Sequence, residues 1–229
     1  MAKADGHLCH LNTNGKLLDD KLIEQLLTAG LDSIKFSFQG VDEKSYSEMR
    51  QGGGFAVLVA AIEKMFNMRG DNLSPYMHIS TTTTYESVDI IDDFKKKMQA
   101  ISDLVTVGRT KLEHIDANKA NLRVEQKDLL AQLKLKQSLT KRHPRICPEV
   151  FGKLSIDWDG KVSACCQAYN RQMTVGDINR DSLTDIFHNE KISHYRQLLS
   201  RGEFEMIDFC RQCWDYMEIQ TGNQTGGQK

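Results

Sequence analysis

Cysteine is the residue type whose spacing in this chain points most directly to chemistry. Five of the six cysteines lie after residue 146 of the 229-residue sequence. Cys210 and Cys213 form a C-x2-C pair, a spacing that can place two thiolates on one metal ion or cluster. Cys147 and Cys165 stand on either side of an alternating segment that contains an Asp-Gly dipeptide, which is typical of hairpin turns.

The predicted hairpin would bring Cys147 and Cys165 together, because antiparallel strands place the two ends of a hairpin side by side. An amphipathic segment, residues 182–202, could then return the chain and deliver the C-x2-C pair. Four thiolates suit a structural zinc ion or an iron–sulfur cluster. Zinc ribbons usually carry two close C-x2-C-like pairs. Here a whole hairpin divides the first pair, which weakens the case for zinc but leaves zinc as an alternative. The alternative without metal is four small buried thiols.

The doubled cysteine poses a choice between two ligands. Cys166 adjoins Cys165, and successive residues of a strand point to opposite faces. We therefore do not expect both cysteines to ligate one metal. Outside the cysteine region, Arg50 is expected to face solvent, and the alternative is that it points toward a substrate or cofactor carboxylate.

The elements that must position these residues follow from the hydrophobic pattern. Strands are predicted at 7–15, 32–40, 76–84 and 103–112, and helices at 19–30, 55–70 and 87–101. Strands that alternate with helices predict βα units and a parallel sheet. Residues 120–143 are polar and helix-prone, which predicts a connector. After it, the cysteine region forms a separate unit with the hairpin and one long helix at 182–202.

Composition excludes several classes of protein. The net charge is −1 and 40% of the residues are hydrophobic, which gives no general reason to expect nucleic acid or a membrane as partner. No run of 18 apolar residues and no signal-peptide core occurs. We therefore expect a cytoplasmic protein whose thiols stay reduced.

The order of the cysteine motifs resembles a known family. The pattern C…DG-x4-C, followed by VGDI, by SLTDIFHNEKISHYRQLL and by C-x2-C, is similar to the auxiliary-cluster region of radical S-adenosylmethionine enzymes. This region is the SPASM domain or its shorter twitch form. The resemblance implies that Cys147, Cys165, Cys210 and Cys213 ligate an auxiliary [4Fe-4S] cluster. Cys165 has the family's spacing from Gly160, so Cys166 is expected to be a packed thiol. No cysteine follows Cys213, which resembles the single-cluster twitch form.

The first half of the chain resembles the middle of the same family's (β/α)6 barrel. HLNTNG and IKFSFQG are similar to consecutive barrel strands whose ends line the S-adenosylmethionine pocket. The resemblance implies that Asn14, Ser37 and Gln39 bind this cofactor. Polar residues at the carboxyl ends of parallel strands do face the ligand crevice of such sheets.

The predicted fold class is α/β, with a partial (β/α) barrel followed by a small α+β cysteine-rich domain of the twitch or SPASM type. The incomplete radical-enzyme barrel is assigned to residues 1–119 and the helical connector to 120–144. The auxiliary-cluster domain is assigned to 145–216, and a disordered tail to 217–229.

One family motif is absent from the sequence. The chain has no C-x3-C-x2-C loop, which in the family holds the cluster that cleaves S-adenosylmethionine. We expect a fragment of a longer enzyme, with one subunit of a two-chain enzyme and a degenerate relative as alternatives. Whether the chain is itself an enzyme stays open. On this interpretation the chain alone does not cleave S-adenosylmethionine.

The function implied by the resemblance belongs to the complete enzyme. It is the S-adenosylmethionine-dependent radical oxidation or modification of a small molecule, such as a sugar or aminocyclitol, or of a peptide. An external electron donor such as a flavodoxin or ferredoxin is the expected protein partner. The alternative from another class is a zinc-stabilised four-cysteine binding module without catalysis.

Overall fold

The computed structural model describes residues 2–50, 54–83, 86–109, 123–138, 147–168, 170–211 and 213. The chain divides into two compact units, residues 1–134 and 135–229. Each unit has a hydrophobic core of its own. In the part of the chain that the structure describes, no helix combines the length and the apolar character needed to cross a membrane.

A four-stranded parallel sheet forms the first unit. Its strands lie in chain order, as β1 (His10–Thr13), β2 (Ser33–Ser37), β3 (Tyr76–Thr83) and β4 (Leu104–Arg109). The described crossovers carry helices α1 (Asp20–Thr28), α2 (Glu43–Met49), α3 (Phe55–Arg69) and α4 (Val88–Gln99). The α/β class with a parallel sheet is thereby confirmed, and the partial barrel stays a prediction.

One face of the sheet packs against these helices. Alternate strand residues, including Ile34, Phe36 and Ile79, are fully buried there, as period-two alternation requires. The helices contribute the other half of this core, for example Ile62 and Met65 of α3.

The opposite face of the sheet is polar, and its side chains are half-buried or exposed. We call this surface the polar face. Its members are His10, Asn12, Ser33, Lys35, Ser37, His78, Ser80, Thr82 and Thr106, with Tyr76 and Leu104 at the amino end of the sheet.

The amino ends of the strands are fastened by two carboxylates. Asp103 accepts from Arg69 Nη1 at 2.5 Å and from the backbone N–H of Met77 at 2.6 Å. Burial would raise the pKa of Asp103, but these hydrogen bonds lower it on balance. Asp32 accepts in the same way from the backbone N–H of Cys9 and from Lys3, both at 2.7 Å.

The second unit contains a three-stranded antiparallel sheet in the order β5, β6, β7. Its strands are short, at Ser155–Ile156, Lys161–Ser163 and Thr174–Asp177. Helix α5 (Val124–Ser138) lies in the polar connector, and the first unit ends within it. The helices that follow are α6 (Glu149–Gly152), α7 (Leu183–His188), α8 (Glu190–Ser200) and α9 (Asp208–Arg211), with a 3-10 turn at Phe204–Met206 before α9.

The single long helix predicted at 182–202 is wrong. The chain is extended at Asn189, with φ −69° and ψ 167°, and this residue separates α7 from α8. The Asn189 side chain accepts from the backbone N–H of Ile192 at 3.0 Å and so begins a new helix. It also donates to the carbonyl oxygen of Val175 at 2.8 Å, which fixes the break against β7.

Candidate metal centre

Cys147 lies just before α6 and is buried in the core of the second unit. Arg196 of α8 fixes the neighbouring backbone. Its guanidinium donates to the carbonyl oxygen of Val150 at 3.0 Å and to that of Phe187 at 2.7 Å. The same guanidinium lies 4.1 Å above the Phe187 ring. One side chain thus ties α6, and with it the position of Cys147, to α7 and α8.

Cys165 lies in the loop that follows β6 and is half-buried. The loop is closed by backbone hydrogen bonds on both sides of the thiol. Ala164 donates to the carbonyl oxygen of Met173 at 3.0 Å, and Ala168 donates to that of Cys165 at 3.2 Å. The hairpin before it turns through Gly160, whose φ of 86° favours glycine. The sequence prediction of a hairpin at Asp159-Gly160 is confirmed.

The C-x2-C pair is placed by the short helix α9. Cys210 lies within α9, and the backbone N–H of Cys213 donates to its carbonyl oxygen at 3.1 Å. This turn holds both residues of the pair on one end of the helix. Cys210 packs against the same core as Cys147 and Cys165.

Two of the four thiols, Cys210 and Cys165, lie close enough to the other cysteines for their ionisation to be affected. Burial raises the pKa of Cys210 to about 12, and the charges of Cys147, Cys213 and Cys165 add to this effect. Burial also raises the pKa of Cys165, where a hydrogen bond from the backbone of Gln167 acts in the opposite direction. Burial and the neighbouring cysteine charges both disfavour the thiolate form when no cation is bound. A metal centre supplies that cation, so the donor set fits a thiolate-bound metal or cluster.

The thiols lie near one another, but they are not arranged around a common centre. All six cysteines are free of disulfides. Among the described residues, no three His, Cys, Asp or Glu side chains converge as the ligands of a single metal ion would.

The expectation that Cys166 packs in the core is wrong. Cys166 is exposed, and its Sγ lies 3.9 Å from Glu149 Oε2. The prediction assumed a strand through both cysteines, whereas β6 ends at Ser163. The alternation of strand side chains therefore does not extend to the loop that carries Cys165 and Cys166.

A buried hydroxyl that the sequence did not predict lies two residues before Cys165. Ser163 is 2% exposed, and its Oγ has no hydrogen-bond partner within the described structure. No pattern in the sequence marks this residue, because serine is common in exposed strand positions.

The structure places the predicted cofactor residues at the carboxyl ends of β1 and β2. Thr13, the last residue of β1, is in register with Phe36, so Asn14 and Ser37 follow at the same edge of the sheet. Gln39 lies beyond the end of β2 and is half-buried. The Asn14 side chain accepts from the backbone N–H of Lys16 at 3.1 Å, which holds it in the turn after β1.

Arg50 joins this edge, against the expectation that it faces solvent. Its Nη2 donates to the carbonyl oxygen of Ser37 at 3.0 Å. Its Nε is buried and has no partner among the described residues. The sequence analysis missed helix α2, whose end at Met49 directs Arg50 back to β2.

Comparison with known proteins identifies the class of the second unit. Residues 147–214 match the SPASM family, an iron–sulfur cluster-binding domain. This part of the chain is similar to that family, and the predicted resemblance to radical S-adenosylmethionine enzymes with a SPASM-type domain is confirmed.

Individual relatives agree with this class. A stretch of 65 residues is 32% identical to the S-adenosyl-L-methionine-dependent 2-deoxy-scyllo-inosamine dehydrogenase of Niallia circulans. The match covers 28% of this chain and 26% of that protein, so the chain aligns with about a quarter of the relative's length.

Two solved structures share the fold. Native anSMEcpe with bound AdoMet superposes with a TM-score of 0.59 at 12% identity, over 93% of this chain and 69% of that one. Streptococcus suis SuiB bound to S-adenosylmethionine gives 0.55 at 13% identity, over 86% of this chain and 52% of that one. At these identities the likeness is one of fold.

Proposed function

We propose that residues 145–216 form a domain that binds an auxiliary [4Fe-4S] cluster through Cys147, Cys165, Cys210 and Cys213. The observation that carries the proposal is that these four cysteines, all within the SPASM match, interact electrostatically in one core. They come from three separate segments of the chain. Burial and the charges of the neighbouring cysteines make Cys165 and Cys210 poor thiolates alone and good ligands for a cationic cluster.

The chain's own residues supply the setting for the cluster. A cysteine-bound [4Fe-4S] cluster exchanges single electrons at a potential set by burial and by hydrogen bonds to its sulfurs. Here the apolar core that contains Val150, Val162 and Ile207 buries Cys147 and packs against Cys165 and Cys210. The backbone of Gln167 hydrogen-bonds the Cys165 sulfur, which stabilises its thiolate form. Arg196 orients the backbone after Cys147.

We further propose that the parallel sheet belongs to the S-adenosylmethionine-binding part of a radical enzyme. Asn14, Ser37 and Gln39 lie at the sheet edge where ligands of parallel sheets bind. The buried, unpartnered Nε of Arg50 adds a donor at the same edge. The complete enzyme would take its electron from an external donor such as a flavodoxin or ferredoxin.

The substrate class of the complete enzyme is proposed from its relatives. The Niallia circulans relative is named for a small aminocyclitol, and SuiB has been solved with the precursor peptide SuiA. We propose oxidation or modification of a small molecule or of a peptide by a radical generated from S-adenosylmethionine.

Anaerobic reconstitution tests the cluster. The purified chain is incubated with iron and sulfide under reducing conditions, with an equal portion given zinc instead. We expect a brown protein with about four irons and four sulfides per chain, as a four-cysteine cubane requires. A colourless protein that binds one zinc ion and retains no iron would support the zinc-stabilised module and contradict the proposal.

A further inference from the structure

The polar face carries a row of functional groups across all four strands. Asn12 is in register with Lys35, and Lys35 is in register with His78. On β4 the residue in register with His78 is Leu104, and Thr106, one pleat further along, contacts the row because its Oγ1 lies 2.8 Å from His78 Nε2. We call Asn12, Lys35, His78 and Thr106 the central row. Lys35 stands in its middle, with an amide on one side and an imidazole on the other.

A second imidazole lies one pleat nearer the amino end of the sheet. His10 Nδ1 lies 2.6 Å from Ser33 Oγ, and its Nε2 lies 3.2 Å from Asn12 Oδ1. The pKa of His78 is lowered first by burial and then by the charges of Lys35 and His10. Lys35, His10 and His78 therefore share one electrostatic environment.

No carboxylate balances these groups within the described strands. The alternate residues of β1–β4 that form the polar face include no Asp or Glu. The carboxylates at the strand starts are already engaged, Asp32 with Lys3 and Asp103 with Arg69. Lys35 forms no ion pair with any described residue. The centre of the face is therefore positive.

Neutral hydroxyls lie between the central row and the cofactor edge. Ser37 and Ser80 are in register with each other, and Thr82 lies one pleat further along β3. Two residues along a strand span about 7 Å, so these hydroxyls are one to two pleats from Lys35. Each hydroxyl can donate and accept a hydrogen bond. Asn14 and Gln39 follow at the edge itself.

We propose that the polar face binds the substrate as an anionic, polyhydroxylated small molecule, either a sugar phosphate or a sugar acid. The phosphate or carboxylate of this molecule binds at Lys35. Its hydroxyls contact Ser37, Ser80 and Thr82, which lie toward the cofactor edge. This substrate class rests on the proposed function, because it assumes that the sheet is the catalytic part of a radical enzyme.

Charge complementarity decides between this class and its rivals. A phosphate or carboxylate forms charge-assisted hydrogen bonds with an ammonium group, and these are stronger than neutral ones. A protonated aminocyclitol would be repelled by Lys35, and the polar face of the described strands has no carboxylate to bind its ammonium group. A peptide offers few hydroxyls to pair with the serine and threonine hydroxyls of the polar face.

Ligand binding to the full chain with its cluster tests the proposal. The imidazole NMR signals of histidine-labelled protein are followed with glucose 6-phosphate, glucuronate, glucose, an aminocyclitol and inorganic phosphate. We expect glucose 6-phosphate or glucuronate to shift the His10 and His78 signals. Lys35→Met should weaken that binding at least tenfold, and Lys35→Arg should restore most of it. Lys21→Met, at an exposed lysine of α1, is the matched control and should change nothing.

Three results would overturn the inference. In the first, glucose or the aminocyclitol binds more tightly than both glucose 6-phosphate and glucuronate. In the second, Lys35→Met leaves anion binding unchanged. In the third, inorganic phosphate binds as tightly as glucose 6-phosphate. Iron and sulfide are counted on the same samples. Loss of the cluster with intact anion binding would count against the proposed cluster site alone, whereas a full cluster without Lys35-dependent anion binding would refute only the substrate class.

Discussion

His78 shows how one side chain reports on its surroundings in the sheet. Its pKa is lowered from the ordinary value of 6.5, first by burial and then by the charges of Lys35 and His10. Folding therefore favours neutral His78. Its contribution to stability is present above pH 6.5 and is lost as the pH falls through the lowered pKa.

We predict that NMR titration of the full chain gives His78 a pKa below 6.5, the value of the unperturbed group. Lys35→Met removes one of the charges that lower it and should raise the pKa of His78 toward 6.5. Lys21→Met should leave it unchanged. A pKa of His78 that does not respond to Lys35→Met would show that the two side chains do not share the polar face as described.

Ser163 is the second residue with a clear expected response. Its buried Oγ has no partner, and an unpaired buried hydroxyl destabilises a folded protein. We predict that Ser163→Ala raises the free energy of unfolding of the metal-free chain by about 1 kcal/mol. Ser155→Ala, at the cross-strand partner in β5, is the control and should have little effect. Chemical denaturation followed by circular dichroism measures both, and a clear loss of stability in Ser163→Ala would mean that the hydroxyl has a partner.

At the residue scale, the sequence alone pointed to the proposed metal ligands more directly than to the proposed substrate-binding groups. The four cysteines carry a spacing that few other functions share. Lys35 and His78 are 43 positions apart in the sequence and read as ordinary polar residues of alternating strands. Only the register of the parallel sheet makes them neighbours.

Among the elements of the second unit, α8 has the clearest positioning role. Through Arg196 it contacts the backbone carbonyls of both α6 and α7. The planar guanidinium donates in two directions and stacks on Phe187, which a lysine cannot reproduce.

We predict that Arg196→Lys destabilises the second unit by about 2 kcal/mol, because two buried hydrogen bonds and the ring contact are lost. The variant should also retain less iron after reconstitution, because the backbone next to Cys147 is no longer held. Arg201→Lys, at the exposed end of the same helix, is the matched control. Iron retention and stability equal to those of Arg201→Lys would show that Arg196 does not position this segment.

The success of the element predictions followed the strength of the hydrophobic pattern. The four predicted strands of the first half and their long helices occur as β1–β4, α1, α3 and α4. Helix α2 was missed because Glu43–Met49 is mostly polar, and Tyr46 is its large buried apolar residue. The break at Asn189 was missed because the apolar spacing continues across it, although a side-chain cap begins α8 there. Strand β7 has four residues, too few for alternation to be distinctive.

At the scale of the whole molecule, the fold resembles that of radical S-adenosylmethionine enzymes with a SPASM-type domain, and the cysteine motif for the cluster that cleaves S-adenosylmethionine is absent from the sequence. The proposed four-thiolate site assigns one cysteine to each iron of a cubane cluster. Such a site leaves no iron free for S-adenosylmethionine, and the chain contains no C-x3-C-x2-C motif.

We therefore predict that the reconstituted and reduced chain forms no 5′-deoxyadenosine from S-adenosylmethionine. The Cys210→Ala variant treated in the same way gives the background of the assay. Formation of 5′-deoxyadenosine clearly above this background, measured by chromatography, would contradict the expectation that the chain alone does not cleave S-adenosylmethionine.

The measurement that tests the central claim most directly is the iron and sulfide content of single cysteine variants after anaerobic reconstitution. The account predicts about four irons and four sulfides in the wild-type chain and a marked loss in each of Cys147→Ala, Cys165→Ala, Cys210→Ala and Cys213→Ala. Cys166→Ala, which removes the exposed neighbouring thiol, should keep the wild-type content. Loss of the cluster in Cys166→Ala together with its retention in Cys165→Ala, or no iron in the wild-type chain, would contradict the account.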